Sequence, residues 1–427
     1  MSLNVGLSPN GAVVDSRVRW RYVMPTLVLL QTLGMVDKVN VGMVMTYKPF
    51  LTYMNLTNQK ALAGMLMTLF VVAYGIGMPF WGMVIDKWGA RKSAILSTIA
   101  WIVMLVIGGL STSLTWLFIS RIGLGLAEAT IWPLGNNLIA HWFPVKERSK
   151  ASAYWVSGLS IGIALSGLLV PPMLSNFGWR SVFFILATID LIPLCMFVFL
   201  TKDGPRYVRN ISSFEISLIE QGVLEKTSEI PNYDKATTRA FYRDYRFWIL
   251  TFCNVTASVL NFGINTWMPS YLTNVRHLSL SGMGYFTAIS WILCPLFMVL
   301  AGRWSDHLLR RSAFITIGYI AFAVFFYFAT LAESSIAVLI LETIAIWGYE
   351  IAVTMTFSML HSIVVKSHMG RSSGVLTGVS NVAAAFIPMV MGAVIGHYNS
   401  FTGAFLILSG FAVAAAALTA VLIPQRY

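Results

Sequence analysis

The chain has 427 residues, of which 57% are hydrophobic and only 11% charged, with a formal net charge of +12. So little charge on so many apolar residues excludes a soluble globular or a disordered chain, and a mean hydropathy of +0.73 points to a protein that crosses a bilayer many times. The three cysteines, Cys195, Cys253 and Cys294, lie scattered in apolar runs and offer neither a disulfide framework nor a metal-ligand spacing.

Residues 1–21 are polar and end in Arg17, Arg19 and Arg21, with no short apolar core followed by a small-residue cleavage site. They read as a cytoplasmic N-terminal segment rather than a cleaved signal peptide. Twelve apolar runs follow, at 22–46, 61–85, 93–111, 114–141, 151–176, 180–200, 246–272, 283–304, 313–332, 336–362, 370–397 and 401–424. Each is near the ~20 residues that a helix needs to cross a hydrocarbon core of ~30 Å. Lipid offers no partners to exposed backbone amides and carbonyls, so these runs are expected to be helices. The fold class expected is therefore an all-α membrane protein of twelve transmembrane helices.

Lys and Arg residues fix the expected orientation, because they concentrate in cytoplasmic loops. Counting alternate loops from the N-terminus, 23 of the 29 fall on one side, and only Lys48, Lys60, Arg180 and Arg276 on the other. Both termini are thus expected in the cytoplasm. The same clusters account for the net charge without any continuous basic face, so no nucleic acid is expected as a partner.

The one long polar stretch, 201–245, divides the spans six and six and includes an amphipathic pattern near Phe214 to Leu224. It reads as a cytoplasmic linker between an N-terminal bundle, 22–200, and a C-terminal bundle, 246–424, with 425–427 left as a tail. Duplication shows in the loops: Gly82-x-x-x-Asp86-x-x-x-x-Arg91-Lys92 follows the second span, and Gly302-x-x-x-Asp306-x-x-x-Arg310-Arg311 follows the eighth. Two pseudo-symmetric halves with a site near the membrane midplane are a frequent plan for secondary transporters.

The first of these stretches, Gly82-Met83-Val84-Ile85-Asp86-Lys87-Trp88-Gly89-Ala90-Arg91-Lys92, resembles the loop signature of the major facilitator superfamily. Within it the chain is similar to the anion:cation symporter group, which includes carriers of galactonate and other sugar acids. The residues that carry this resemblance are Val36-Asp37-Lys38-Val39-Asn40, Arg121-x-x-x-Gly125-x-x-Glu128, Trp142-Phe143-Pro144-x-x-Glu147-Arg148 and Trp267-x-Pro269-x-Tyr271-Leu272. It extends over essentially the whole chain. It implies proton-coupled symport of a small organic anion by alternating access, with sodium as the alternative coupling ion. It also implies a multi-pass protein of a bacterial inner (plasma) membrane that works as a monomer, needs no cofactor or metal and is not an enzyme.

The charges within spans carry a physical argument of their own, since an ionised side chain near mid-bilayer costs at least ~2.5 kcal/mol. Arg121 and Glu128 are seven residues apart, on one helix face and separated by ~10 Å. Asp37 and Lys38 are adjacent and point about 100° apart, so Lys38 is placed to face a cavity while Asp37 reaches a neighbouring helix. Two static ion pairs that bolt the first span to the fourth would be the structural explanation. The functional one is a carboxylate that loads and releases a proton beside cations that attract an anion. By resemblance, Asp37 and Glu128 are the proton-coupling acids and Lys38 and Arg121 the substrate-side cations. Lys38 stands where the family usually has Arg, and so lacks the planar fork suited to bidentate carboxylate binding.

Further candidate substrate contacts are Tyr74 on the second span, Asn254 on the seventh, Phe357 on the tenth, and Thr377 with Asn381 one turn apart on the eleventh. Tyr74, Asn254 and Phe357 are suggested by family position, and each has helix packing as its structural explanation. Glu342 and Glu350 on the tenth span are additional acids with no basic residue within the neighbouring spans. They read as protonation sites, as a cation site or as recognition of a substrate amino group, against acids kept neutral by hydrogen bonds. Asp190, on the sixth span, has no assigned role. In the loops, Asp86 with Arg91 and Lys92, and their counterparts after the eighth span, are expected to latch helix ends during gating.

Three rival classes are less well supported. An exporter of hydrophobic cations would carry a Gly-Pro-rich fifth span, whereas this one has Gly158, Gly162 and Gly167 with prolines only at Pro171 and Pro172. An enzyme would need a metal-ligand pair or a nucleophile with its base, and the six histidines are scattered, mostly at span ends. A solute sensor would be expected to carry a signalling domain, which the longest polar stretch is too short to form.

Overall fold

The computed structural model describes residues 17–208, 211–212, 214–219, 243–297, 300, 311–364 and 369–423, and all of its regular structure is helical. Twelve helices are long and apolar enough to cross a membrane. In chain order they are span 1 (Arg19–Val44), span 2 (Lys60–Trp88), span 3 (Ala90–Leu110), span 4 (Leu114–Trp142), span 5 (Lys150–Phe177) and span 6 (Trp179–Phe199). The second half comprises span 7 (Tyr245–Asn274), span 8 (Leu280–Phe297), span 9 (Arg311–Leu331), span 10 (Ser335–Leu360), span 11 (Ser372–Tyr398) and span 12 (Phe401–Ala420). The ends differ from the sequence expectation by a few residues. The largest differences near the site come from a π-helical turn that starts span 1 at Arg19 and from span 2 running on to Trp88.

Four spans are interrupted, each just ahead of a proline. Turns replace helix at Ala129–Thr130 before Pro133, at Asp190 before Pro193, at Leu293 before Pro295, and at Ala385–Phe386 before Pro388. A proline has no amide hydrogen for the carbonyl four residues earlier, and its ring crowds that turn, so the helix breaks locally. In spans 4 and 6 the interruption falls at an acid, immediately after Glu128 and on Asp190 itself.

The packing repeats between halves. Span 1 packs on span 5, span 2 on span 4, and span 3 on both spans 4 and 6. The second half repeats this with span 7 on 11, 8 on 10, and 9 on both 10 and 12. Across the halves, span 5 meets span 8, span 11 meets span 2, and span 1 meets span 7, as a two-fold relation requires. The tightest approaches gather at the end that holds the loops between spans 1 and 2 and between spans 7 and 8. There Gly42 lies so close to the Asn265 carbonyl oxygen, and Gly167 to Gly284, that any side chain would force the halves apart. A narrow cleft at the same level is lined from both halves, by Val39 and Met43 of span 1, Asn265 of span 7 and Glu342 of span 10 among others.

Candidate functional site

The N-terminal half brings the four predicted charges together on two helices, spans 1 and 4. Asp37 is 1% exposed and turns toward spans 3 and 6. One carboxylate oxygen accepts a hydrogen bond from the Trp101 indole N–H at 2.9 Å, and the Asp190 side chain is in hydrogen-bond contact with it. Lys38 turns instead to span 2, its ammonium 4.0 Å from the Tyr74 ring centroid and 5.7 Å from that of Phe70. Those two rings are stacked at 5.9 Å. A desolvated ammonium over an aromatic face is held by the ring quadrupole, about 2 kcal/mol in such surroundings. The 100° step between neighbouring helical residues thus sends the acid and the base of span 1 to different partners.

Arg121 of span 4 is fully buried against the Phe183 ring, 5.2 Å from its centroid. Its guanidinium donates to the Asp37 carbonyl oxygen and to Asn40 Oδ1, each at a long 3.4 Å, and its Nε has no partner. Glu128, on the same helix, is 0% exposed. Neither of its carboxylate oxygens has a hydrogen-bond partner, although Lys38 and Arg121 both act on it electrostatically. Among the described residues no side-chain ion pair joins the four charges. The static ion pairs that would bolt span 1 to span 4 are absent. What the half contains instead is an under-satisfied charge cluster, a costly arrangement that packing alone does not require.

The remaining candidates divide. Tyr74 enters the cluster through Lys38. Asn254 donates to Ser380 Oγ at 2.8 Å, which ties span 7 to span 11; Thr377 and Asn381, both half-buried, flank that contact on span 11. Phe357 is half-buried against the core. Glu342 is 3% exposed, lines the cleft between the halves and has one carboxylate oxygen without a partner. Glu350 lies next in sequence to Tyr349, whose hydroxyl accepts from Asn261 Nδ2 at 3.4 Å.

In the loop motif after span 2, Arg91 reaches the end of span 6 rather than Asp86. Asp86 and Lys92 are exposed, while the Arg91 guanidinium donates to the Phe197 and Val198 carbonyls and its amide to Asp203 Oδ1 at 2.8 Å. Arg91 therefore closes the C-terminal end of span 6, where helical carbonyls lack internal donors. The open Gly82 position meets no neighbour within 4 Å. Gly302, Asp306 and Arg310 lie outside the described residues, and Arg311 reaches the Ser358 carbonyl at 3.4 Å.

Sequence reasoning missed two groupings. The sequence gives Asp190 no role, and the structure sets it against Asp37; the available signal is an acid in an apolar run three residues before a proline. At the start of span 1, buried Arg19 pairs with Glu215 of the linker at 2.8 Å and with Glu147 at 2.9 Å. Trp20 donates to the same Glu147 oxygen at 2.8 Å. Next to it, Arg148 closes the end of span 4 through the Phe143 and Ala140 carbonyls, and burial lowers its pKa from the usual arginine value.

Two pseudo-symmetric six-helix bundles, closed against each other at one end and holding a buried ionisable cluster, define a polytopic membrane transporter. A model of the Major Facilitator Superfamily matches residues 32–307 and 286–427, and the chain belongs to that superfamily. It is 25% identical to a probable L-galactonate transporter of Escherichia coli (strain K12), over 100% of this chain and 94% of that protein. It is 22% identical to the hexuronate transporter of Bacillus subtilis (strain 168), over 91% of this chain and 92% of that protein. Among solved structures, the inward-facing, occupied form of a bacterial homologue of the human lysosomal transporter Spinster superposes with a TM-score of 0.75. The identity is 18%, over 97% of this chain and 98% of that one. The family and the twelve-helix fold expected from the sequence stand, and so does transport rather than enzymatic catalysis.

Proposed function

We propose that the protein takes up a small organic anion, such as a sugar acid or another carboxylate, together with protons, by alternating access. Asp37 and Glu128 carry the protons, and Lys38 and Arg121 receive the anion. The observation that carries this reading is Glu128: a buried carboxylate with neither oxygen bonded, lying in the field of the two cations. While ionised, Glu128 competes with an incoming anion for Lys38 and Arg121. Once protonated it releases both cations, so anion binding and proton loading favour each other. The likeness to carriers named for galactonate and hexuronate supports the anionic cargo.

Lys38 acts as a point charge seated on Tyr74 rather than as a fork, so the bidentate grip on the carboxylate belongs to Arg121. In the second half, Asn254, Phe357, Thr377 and Asn381 supply neutral contacts. With both termini in the cytoplasm of a bacterial cell and the protein in its inner membrane, the closed end faces outward and the described state opens inward. One monomer contains the whole path, and protons rather than sodium are the coupling ion.

A second reading is favoured by Glu342, whose unpartnered oxygen lies at the cleft between the halves. A cargo with both a carboxylate and an ammonium group, an amino acid or a vitamin, would place its cation there.

Uptake of galactonate and of hexuronates into proteoliposomes, with and without an inward proton gradient, tests the proposal. Accumulation only with the gradient is expected. Accumulation that ignores the proton gradient and follows sodium contradicts the coupling. Uptake of amphoteric solutes alone, abolished by Glu342→Gln, selects the second reading.

A further inference from the structure

Five ionisable side chains, not four, fill the middle of the first half: the acids Asp37, Glu128 and Asp190, and the bases Lys38 and Arg121. Asp190 is 1% exposed and its side chain is in hydrogen-bond contact with that of Asp37. One oxygen of each, Asp37 Oδ1 and Asp190 Oδ2, is buried with no donor group from the protein. The other Asp37 oxygen is taken by Trp101. Two buried carboxylates in contact cannot both remain ionised, and a contact between two acceptors becomes a hydrogen bond only with a proton between them.

Arg121 acts on Asp37 electrostatically, but among the described residues no ion pair reaches the contact. Spans 3 and 5 bring no charged side chain beyond their first residues, Arg121 touches the Asp37 carbonyl rather than its carboxylate, and Lys38 is held on Tyr74. Arg180, the other charge of span 6, is about 15 Å away along the helix, donating to the Ser111 carbonyl at 3.2 Å. Three acids against two bases leave one negative charge uncompensated, and a single proton on the Asp37 and Asp190 pair brings the cluster to neutrality. The backbone also singles out Asp190: it occupies the break that Pro193 makes in span 6, as Glu128 borders the break that Pro133 makes in span 4. Transporters use interrupted helices where ions are bound.

We propose that Asp190 is a third acid of the transport site and shares one proton with Asp37, so that the proton-holding unit is the pair across spans 1 and 6. The proposal rests on the reading of Asp37 as a coupling acid and adds a partner that sets how firmly the proton is held. Two carboxylates in contact hold their one shared proton more firmly than a lone acid would, and removing one of them weakens that hold.

The test is the pH profile of gradient-driven uptake in full-length Asp190→Asn and Asp190→Glu. Asn keeps the shape and the hydrogen bond but not the charge, so its half-maximal uptake is expected to need a proton concentration higher by about tenfold or more. Glu keeps the carboxyl group and should stay near the wild-type midpoint. A wild-type midpoint in Asp190→Asn, with Asp190→Glu impaired, marks a structural hydrogen bond and overturns the proposal. The wild-type protein gives an independent reading should Asp190→Asn fail to fold. Its infrared spectrum at neutral pH should contain a buried carboxylic-acid carbonyl band that Asp37→Asn removes, and no such band overturns the pair. If wild-type uptake ignores protons, the coupling reading falls and the infrared band decides the pair alone.

Discussion

The two halves of the molecule share a packing plan and differ in chemistry. Helix pairs in the first half have counterparts in the second. The first half nevertheless buries acids and bases together, whereas the second contains a buried Glu342 and a half-buried Glu350 and no base away from its span ends. The fold repeats because it depends on which apolar faces meet, and that is insensitive to a few polar positions. The charge cluster does not repeat, because each buried charge costs several kcal/mol unless compensated, and opposite charges compensate one another only where they are held close together. On the proposed function, one half holds the ionic chemistry while the other offers neutral walls.

Breaking the cluster should give the largest effect. Arg121→Ala leaves Asp37, Asp190 and Glu128 facing Lys38 alone, and removing one member of a buried charge set costs about 3–5 kcal/mol. Loss of transport with a marked fall in thermal stability is expected, and wild-type uptake by this variant would contradict the asymmetry. Next come Asp37→Asn and Glu128→Gln, expected to lose gradient-driven accumulation while preserving anion exchange across equal concentrations. Full accumulation in both removes the proton from the first half. Trp101→Phe deletes one hydrogen bond to a buried carboxylate, worth about 1–3 kcal/mol, and should lower stability and displace the pH profile without abolishing uptake.

The same comparison predicts smaller effects on the other side. Glu342→Gln and Glu350→Gln should leave accumulation of a monocarboxylate within a few-fold of wild type, and loss as severe as in Glu128→Gln would erase the distinction between halves. The smallest change belongs at the entrance to span 7, where Asp244 caps the helix through the Arg246 amide at 3.0 Å. Its hydrogen bonds from Arg246 hold its carboxyl below the usual carboxylate range. A depressed folded-state value means this contribution is present above the unfolded pKa of about 3.9 and lost as pH falls through the folded one. Asp244→Ala should cost about 1 kcal/mol at neutral pH, with the difference from wild type shrinking in acid.

Much of this was legible in the sequence because the bilayer makes errors expensive. Twelve spans followed from hydropathy, and Asp37, Lys38, Arg121 and Glu128 stood out because charge is rare there. Their geometry was partly legible: the 100° step correctly separated Asp37 from Lys38. The cation-binding rings of Phe70 and Tyr74 were half seen, through Tyr74. Partners far apart in sequence were not legible. Asp37 and Asp190 belong to opposite ends of the half, and nothing local marks either as the neighbour of the other. Loop spacing marks Arg91 as a residue for a helix end but does not say that the carbonyls it serves are those of span 6. Arg19 read as a membrane-flanking charge, since burial of an arginine by Glu147 and Glu215 leaves no trace in hydropathy.

The most direct measurement is proton uptake on anion binding to the purified, weakly buffered protein, using an anion first shown to raise its thermal stability. Protons should be taken up as the site saturates, and Glu128→Gln should reduce that uptake. Saturable anion binding with no change in bound protons would contradict a site in which Glu128 yields Lys38 and Arg121 to the substrate.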